Sequence, residues 1–298
     1  MSWQLRLLNA QLRLLVKPRI GRTRAPEDAA RSVDRGARLA VHPPFLRFQE
    51  RPGGLFWISC GKCAPRRVVL YFHGGGYVSG SPHTHRAMLG VLSGMAGVEV
   101  AAPRYPLLQE APFPAPFDAA LAAWDRLMAL GYRPRDVVLG GDSAGGGIAL
   151  ALLSALCLRR EAPAGAVVFS PWVDLAMTGA SLRSNAARDP LLPADRVAEL
   201  TGMFLAGADP RDPRASPLYA EFPGCPPVML TSSRTEILFS EIGGMAKRLE
   251  EGGADVSHEI HPTAPHAWPL FQGWIPEARD TLAHAARFVQ ASLDDGIR

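Results

Sequence analysis

Two short stretches of this 298-residue sequence have the residue types and spacing for carbonyl chemistry. Gly141-Asp142-Ser143-Ala144-Gly145 fits the pattern G-x-S-x-G. Between a strand and a helix, that pattern makes a turn so sharp that the serine hydroxyl is lifted clear of the sheet. Ser143 is then a candidate nucleophile toward a carbonyl carbon. The second stretch is His73-Gly74-Gly75-Gly76, directly after the apolar run Val68–Phe72. Attack on a carbonyl leaves negative charge on its oxygen, and backbone amides without side chains in the way can stabilise that charge. The amides of Gly74 and Gly75 are expected to do this, completed by that of Ala144. His73 precedes the loop and is expected to orient it. A phosphate-binding loop is a poorer reading, because the lysine of G-x-x-x-x-G-K-[ST] is missing.

A serine hydroxyl needs a base, and the base needs an orienting acid. In sheets where a sharp turn presents the serine, the chain order is Ser, then Asp/Glu, then His. Four histidines follow Ser143: His258, His261, His266 and His284. The first two flank or lie in a strand-like run, and His284 lies in a closing helical pattern. Only His266, in Pro265-His266-Ala267-Trp268, falls in a loop after the last strand-like run, where ligands gather in parallel sheets. The same logic asks for a carboxylate just beyond Val228–Ser232, and Glu236 meets it. Glu241 is already within the next helical pattern, and Asp209 and Asp212 precede the strand. Asp174 and Asp189 read as capping or turn residues. His83 and His85 lack a carboxylate partner nearby in sequence, so solvated or capping roles are expected of them.

The elements that must position these residues are legible as alternation. From about residue 55, short strand-like runs, most of them apolar (Val68–Phe72, Val98–Pro103, Val137–Gly141, Ala166–Ser170, Val228–Ser232, Val256–Ile260), alternate with helical patterns. Such continuous apolar strands predict a mostly parallel sheet covered on both faces. Two parts break the rhythm: residues 1–45, and the Pro-, Asp- and Arg-rich stretch from Val173 to about 220. Both are expected to cap the active face, with the core formed by 46–172 and 221–298. Leu5, Leu8, Leu12 and Leu15 recur at helical spacing, which predicts an amphipathic first helix packed on the fold.

Composition narrows the class. The chain is 47% hydrophobic and 20% charged, so a large core is expected. No apolar run reaches the roughly 18 residues of a membrane span. Residues 1–51 hold eleven Lys/Arg against four Asp/Glu, a net +7, so the remaining 247 residues carry −3 beside a whole-chain +4. No nucleic-acid-binding module accompanies this basic end. Cys60-Gly-Lys-Cys63 has redox or zinc spacing, but no second ligand pair accompanies it. A hairpin turn between Leu55–Ser59 and Val68–Phe72 is the better reading. Nothing predicts a metal, a cofactor or a disulfide framework, and a cytoplasmic setting is the default.

Taken together, the motifs resemble the hormone-sensitive-lipase-like α/β-hydrolases, in their bacterial esterase branch. The resemblance rests on His73-Gly74-Gly75-Gly76-Tyr77, Gly80-Ser81-Pro82, Arg104-Tyr105-Pro106, Pro112-Phe113-Pro114, Gly141-Asp142-Ser143-Ala144-Gly145-Gly146, Ser170-Pro171-Trp172-Val173-Asp174 and Pro265-His266-Ala267-Trp268. It implies an α/β-hydrolase fold, with a mostly parallel eight-stranded sheet, helices on both faces and a helical cap. It implies Ser143 as nucleophile, His266 as base, and the glycine stretch with Ala144 as oxyanion hole. Many members carry Asp-Pro-Leu at the acid position; a subset with Glu resembles Thr235-Glu236-Ile237-Leu238. The expected activity is hydrolysis of short-chain carboxylic esters through an acyl-enzyme. Lactone hydrolysis, amide hydrolysis or acyl transfer on the same triad is the alternative, and a non-catalytic ligand receptor is a distant one. The expected partner is a small ester, without nucleic acid or a stable membrane anchor, and with room for a homodimer.

Overall fold

The computed structural model describes residues 1–51 and 54–295. The chain begins with α1 (Trp3–Gln11), which runs through a π turn at Leu12–Val16 into α2 (Lys17–Arg22); α3 (Pro26–Ala37) follows. Ser2 caps α1, its Oγ accepting from the Leu5 amide at 3.1 Å. Ser2 is itself fixed to the last helix, donating from its amide and hydroxyl to Glu277 at 2.6 and 2.8 Å. Leu5, Leu8 and Leu12 are buried against Ala264, Trp268, Ile275 and Ala278. Leu15 departs from the expected stripe and is 69% exposed. The π turn, with its wider i→i+5 spacing, swings it off that face.

Eight strands form one sheet: β1 (Leu46–Arg51), β2 (Leu55–Cys60), β3 (Val68–Phe72), β4 (Glu99–Pro103), β5 (Val137–Asp142), β6 (Gly165–Phe169), β7 (Val228–Ser233) and β8 (Val256–His261). Their order is β1-β2-β4-β3-β5-β6-β7-β8. The pairs β1/β2 and β2/β4 are antiparallel and all others parallel. The hairpin expected at Cys60–Cys63 is therefore corrected. β4 lies between β2 and β3, so the Cys60–Cys63 turn starts a crossing connection. Both thiols are free, and Cys60 Sγ donates to the Pro44 carbonyl at 3.1 Å. Sequence proximity misled here because strand neighbours are chosen by packing across the whole sheet.

The helices α4 (Pro82–Ala96), α5 (Ala115–Ala129), α6 (Ser143–Leu158), α7 (Ser181–Ser184), α8 (Val197–Leu205), α9 (Phe239–Glu251) and α10 (Pro276–Asp295) complete the chain. Alternation within β3 divides the core. Val68, Leu70 and Phe72 face a cluster with Trp124 and Leu150, while Val69 and Tyr71 face one with Leu89 and Val289. β3 and β5 to β7 are buried along their whole length, as strands covered on both faces must be. Among the described residues no helix is long and apolar enough to cross a membrane.

Candidate active site

Ser143 is the first residue of α6, directly after β5, with φ +52°. This left-handed conformation is strained for a residue with a side chain and persists only where the surroundings enforce it. Gly145 supplies part of that enforcement. A Cβ there would lie 2.2 Å from the Phe72 carbonyl oxygen and 2.3 Å from that of His73, so α6 presses against the end of β3. Ala144 lies in the first turn of α6, where a backbone N–H has no helical acceptor.

His266 and Glu236 meet at the carboxyl ends of β8 and β7. His266 Nδ1 is 3.2 Å from Glu236 Oε2, and both side chains are buried. His266 Nε2 has no hydrogen-bond partner among the described residues, and the ring lines the same cavity as Ser143. Glu236 Oε1 accepts from Ser170 Oγ at 2.8 Å and from the Ser233 amide at 3.0 Å. Burial opposes charge on His266, but the hydrogen bond and negative charge of Glu236, with Asp189 and Asp142 beyond, outweigh it. The imidazole is held above its ordinary range. Burial pushes the Glu236 carboxyl up, against the pull of His266 and Ser170. The other three histidines that follow Ser143 are engaged elsewhere: His258 with Ser232 Oγ, His261 with the Thr263 and Ala264 amides, and His284 with Glu259.

The glycine loop is tied to the serine turn through Asp142, the variable residue of G-x-S-x-G. Its buried carboxylate accepts from Tyr71 Oη at 3.0 Å and from the Gly74 amide at 3.0 Å, and its Oδ1 and Oδ2 lie 3.2 and 3.3 Å from His85 Nε2. This corrects the role expected of Gly74, whose N–H is already spent on Asp142. The Gly75 and Gly76 amides donate no hydrogen bond among the described residues, and both residues line the cavity with Ser143. Gly75 has φ +122°, and a Cβ there would lie 2.1 Å from the Ser79 carbonyl oxygen, so only glycine fits. His73 is buried, stacks on Tyr105 at 4.2 Å, and sets Nδ1 2.9 Å from the Gly74 carbonyl. Burial and neighbouring His85 lower its pKa to about 3, so it is neutral.

Of the solvated and capping roles expected of His85, the solvated one does not hold, and a carboxylate partner, Asp142, comes from a distant part of the chain. It is buried, with Nδ1 against Thr84 Oγ1 and the Ser81 carbonyl at 2.8 and 3.2 Å. Its neighbour His83 packs on the rings of Phe48 and Phe56. Attraction from His85, with hydrogen bonds from His85 and Tyr71, overcomes the burial penalty and holds Asp142 below the usual carboxylate range. Ser170 was also not singled out from the sequence. Its hydroxyl bridges Glu236 and the Ala267 amide, the latter at 3.1 Å. Its place at the carboxyl end of β6, beside β7, was the available signal. Asp174 and Asp189 make the turn contacts expected of them. Asp174 accepts from the amides of Ala176 and Thr178, and Asp189 from those of Leu191 and Leu192. Asp189 also accepts from the Ile237 amide at 3.0 Å, next to Glu236.

Above Ser143 opens a cavity of about 700 Å³. Its floor includes Gly75, Gly76, Ser143 and His266. Its walls come from the N-terminal helices (Leu8, Leu12, Ile20, Val33) and from residues around α8 (Leu192, Leu200, Met203).

A model of the alpha/beta hydrolase fold matches residues 69–270, which span every element that holds Ser143, Glu236 and His266. A crystal structure of an esterase from the bacterial hormone-sensitive lipase family superposes with a TM-score of 0.92 at 34% identity, covering 98% of this chain and 99% of that one. This chain belongs to the hormone-sensitive-lipase-like α/β-hydrolases. An acetyl-hydrolase of Streptomyces hygroscopicus is 37% identical over 236 residues, 78% of each chain. An esterase of Acinetobacter venetianus is 33% identical over 230 residues, 76% of each. The fold of this chain is thus shared by a solved protein that carries an esterase name.

Proposed function

We propose that this chain is a serine carboxylesterase acting on short-chain acyl esters through Ser143, His266 and Glu236. One observation carries the reading. His266 has one nitrogen on a buried carboxylate and the other unpaired, in a cavity that it shares with a strained serine. Similarity to a named acetyl-hydrolase and a named esterase supports ester hydrolysis as the reaction.

Ser143 Oγ attacks the ester carbonyl carbon while His266 Nε2 takes its proton. The resulting oxyanion is held by the amides of Gly75, Gly76 and Ala144. Collapse breaks the bond to the alcohol, which leaves with the proton from His266, and Ser143 is acylated. Water then attacks the acyl-enzyme as His266 takes its proton. The carboxylic acid departs and Ser143 regains its hydrogen. Glu236 stabilises the imidazolium throughout, and His73 orients the glycine loop. Residues 1–45 and 173–220 act as the cap that shapes the substrate cavity over a core of 46–172 and 221–298.

A panel of p-nitrophenyl esters, lactones and aryl amides, run with Ser143→Ala, tests the reading. The expected result is ester turnover by the wild type and none by the variant. Preferred turnover of lactones or amides would move the reaction while keeping the triad. A wild type that neither turns over esters nor takes a fluorophosphonate label would end the catalytic reading.

A further inference from the structure

One side of the helical segment 3–16 is buried by Leu5, Leu8 and Leu12, but the opposite side carries an apolar stripe that nothing among the described residues covers. Trp3, Leu7 and Leu14 share that side and are 70%, 51% and 74% exposed. Single exposed leucines are ordinary; an aligned Trp and two leucines on one helix face are a surface seeking an apolar phase. The charges around the stripe identify that phase. The first 24 residues hold six Lys/Arg and no Asp or Glu. Arg6, Arg13, Arg19 and Arg22 are exposed, and among the described residues Arg6, Arg19 and Arg22 have no carboxylate partner. Residues 52–298 carry −3, so the positive field belongs to this end of the molecule. An apolar stripe among unpaired arginines complements a sheet of anionic headgroups over acyl chains.

We propose that the N-terminal helix docks this protein, reversibly and peripherally, on an anionic lipid surface through Trp3, Leu7 and Leu14, with Arg6 and Arg22 at the headgroups. Trp suits the boundary between headgroup and chain, because its ring is apolar and its N–H polar. Further along the same segment, Leu15, Val16 and Ile20 line the cavity that holds Ser143. A docked helix therefore brings the cavity wall to the lipid.

The test uses the full-length protein, sedimented with phosphatidylglycerol vesicles or phosphatidylcholine vesicles at low and high salt. The wild type is expected to pellet with phosphatidylglycerol, to stay largely in solution with phosphatidylcholine, and to be released by salt. Trp3→Ser/Leu7→Ser/Leu14→Ser leaves Leu5, Leu8 and Leu12 in place. It should bind about tenfold less, and so should Arg6→Gln/Arg22→Gln. Both variants should keep the wild-type melting temperature and turnover of a water-soluble ester. The proposal is overturned if the wild type stays in solution with phosphatidylglycerol, or if the triple variant binds as the wild type does. It is equally overturned if the triple variant converts a wild-type dimer to monomer without any vesicle binding, since the stripe would then join two copies. Vesicle binding needs no turnover, so its failure is distinct from failure of the esterase reading.

Discussion

His266 and His85 each lie 3.2 Å from a buried carboxylate oxygen, the first at Glu236 and the second at Asp142. The two pairs flank the same serine turn. They differ in the far nitrogen of the ring. His266 Nε2 has no partner among the described residues, while His85 Nδ1 lies against Thr84 Oγ1 and the Ser81 carbonyl. The first ring can take and return a proton at the cavity. The second has both nitrogens engaged, so it acts as a brace that fixes Asp142 and, through it, the Gly74 amide. A buried histidine–carboxylate pair is thus a base only where one nitrogen remains open to a reacting group.

The largest expected effect separates the pairs outright. His266→Ala should lower kcat by roughly 10⁴-fold or more, as should Ser143→Ala, because members of a triad act as a unit. Steady-state turnover of a p-nitrophenyl ester measures this. Glu236→Gln keeps the shape but withdraws the negative charge, and a loss of roughly 10³-fold in kcat is expected.

The pH profile sharpens the contrast. His266 must be neutral to accept a proton, so kcat/KM should rise with pH through its pKa in the free enzyme. Glu236 raises that pKa, which places the acid limb above the ordinary imidazole value of about 6.5. In Glu236→Gln burial dominates, and the limb should move to lower pH. A limb that stays in place would refute the pairing.

His85→Ala should behave differently. Leaving the buried Asp142 carboxylate without this partner should cost about 3 kcal/mol of stability, read by urea unfolding. Loosening of the glycine loop should lower kcat by roughly 10-fold, with the acid limb unmoved and partial rescue by His85→Gln. A displaced limb would make His85 a proton acceptor after all. The smallest effect is expected for Tyr71→Phe, which removes one of several hydrogen bonds to Asp142. Stability should fall by about 1 kcal/mol, with kcat within a few-fold of the wild type.

Much of this was legible in the chain. β3 and β6 are runs of apolar residues, and β5 and β7 open on such runs, because both faces of the sheet are covered, and such runs survive any ambiguity of pattern. α4 (Pro82–Ala96) follows β3 and α9 (Phe239–Glu251) follows β7, as the alternation of strands and helical patterns requires. Ser143, Glu236 and His266 could be picked out by chain order and by their positions after strands. β1 was not legible. Only Leu46 and Phe48 are partly buried among polar neighbours, as befits an edge strand. Ser170 was missed because its hydroxyl matters only once β6 and β7 are side by side.

By itself the sequence determined the local facts: a serine at a strand-to-helix turn, a glycine run after a strand, and a carboxylate and a histidine following in order. These depend on residues within a few positions of each other, where backbone sterics and periodicity decide the outcome. Only the tertiary structure decided which polar groups remain unspent. Gly74 and Asp142 are 68 residues apart in sequence, yet their hydrogen bond occupies the Gly74 amide, while those of Gly75 and Gly76 donate none among the described residues. A hydrogen bond claims a donor through distance and direction in space, and only folding sets those.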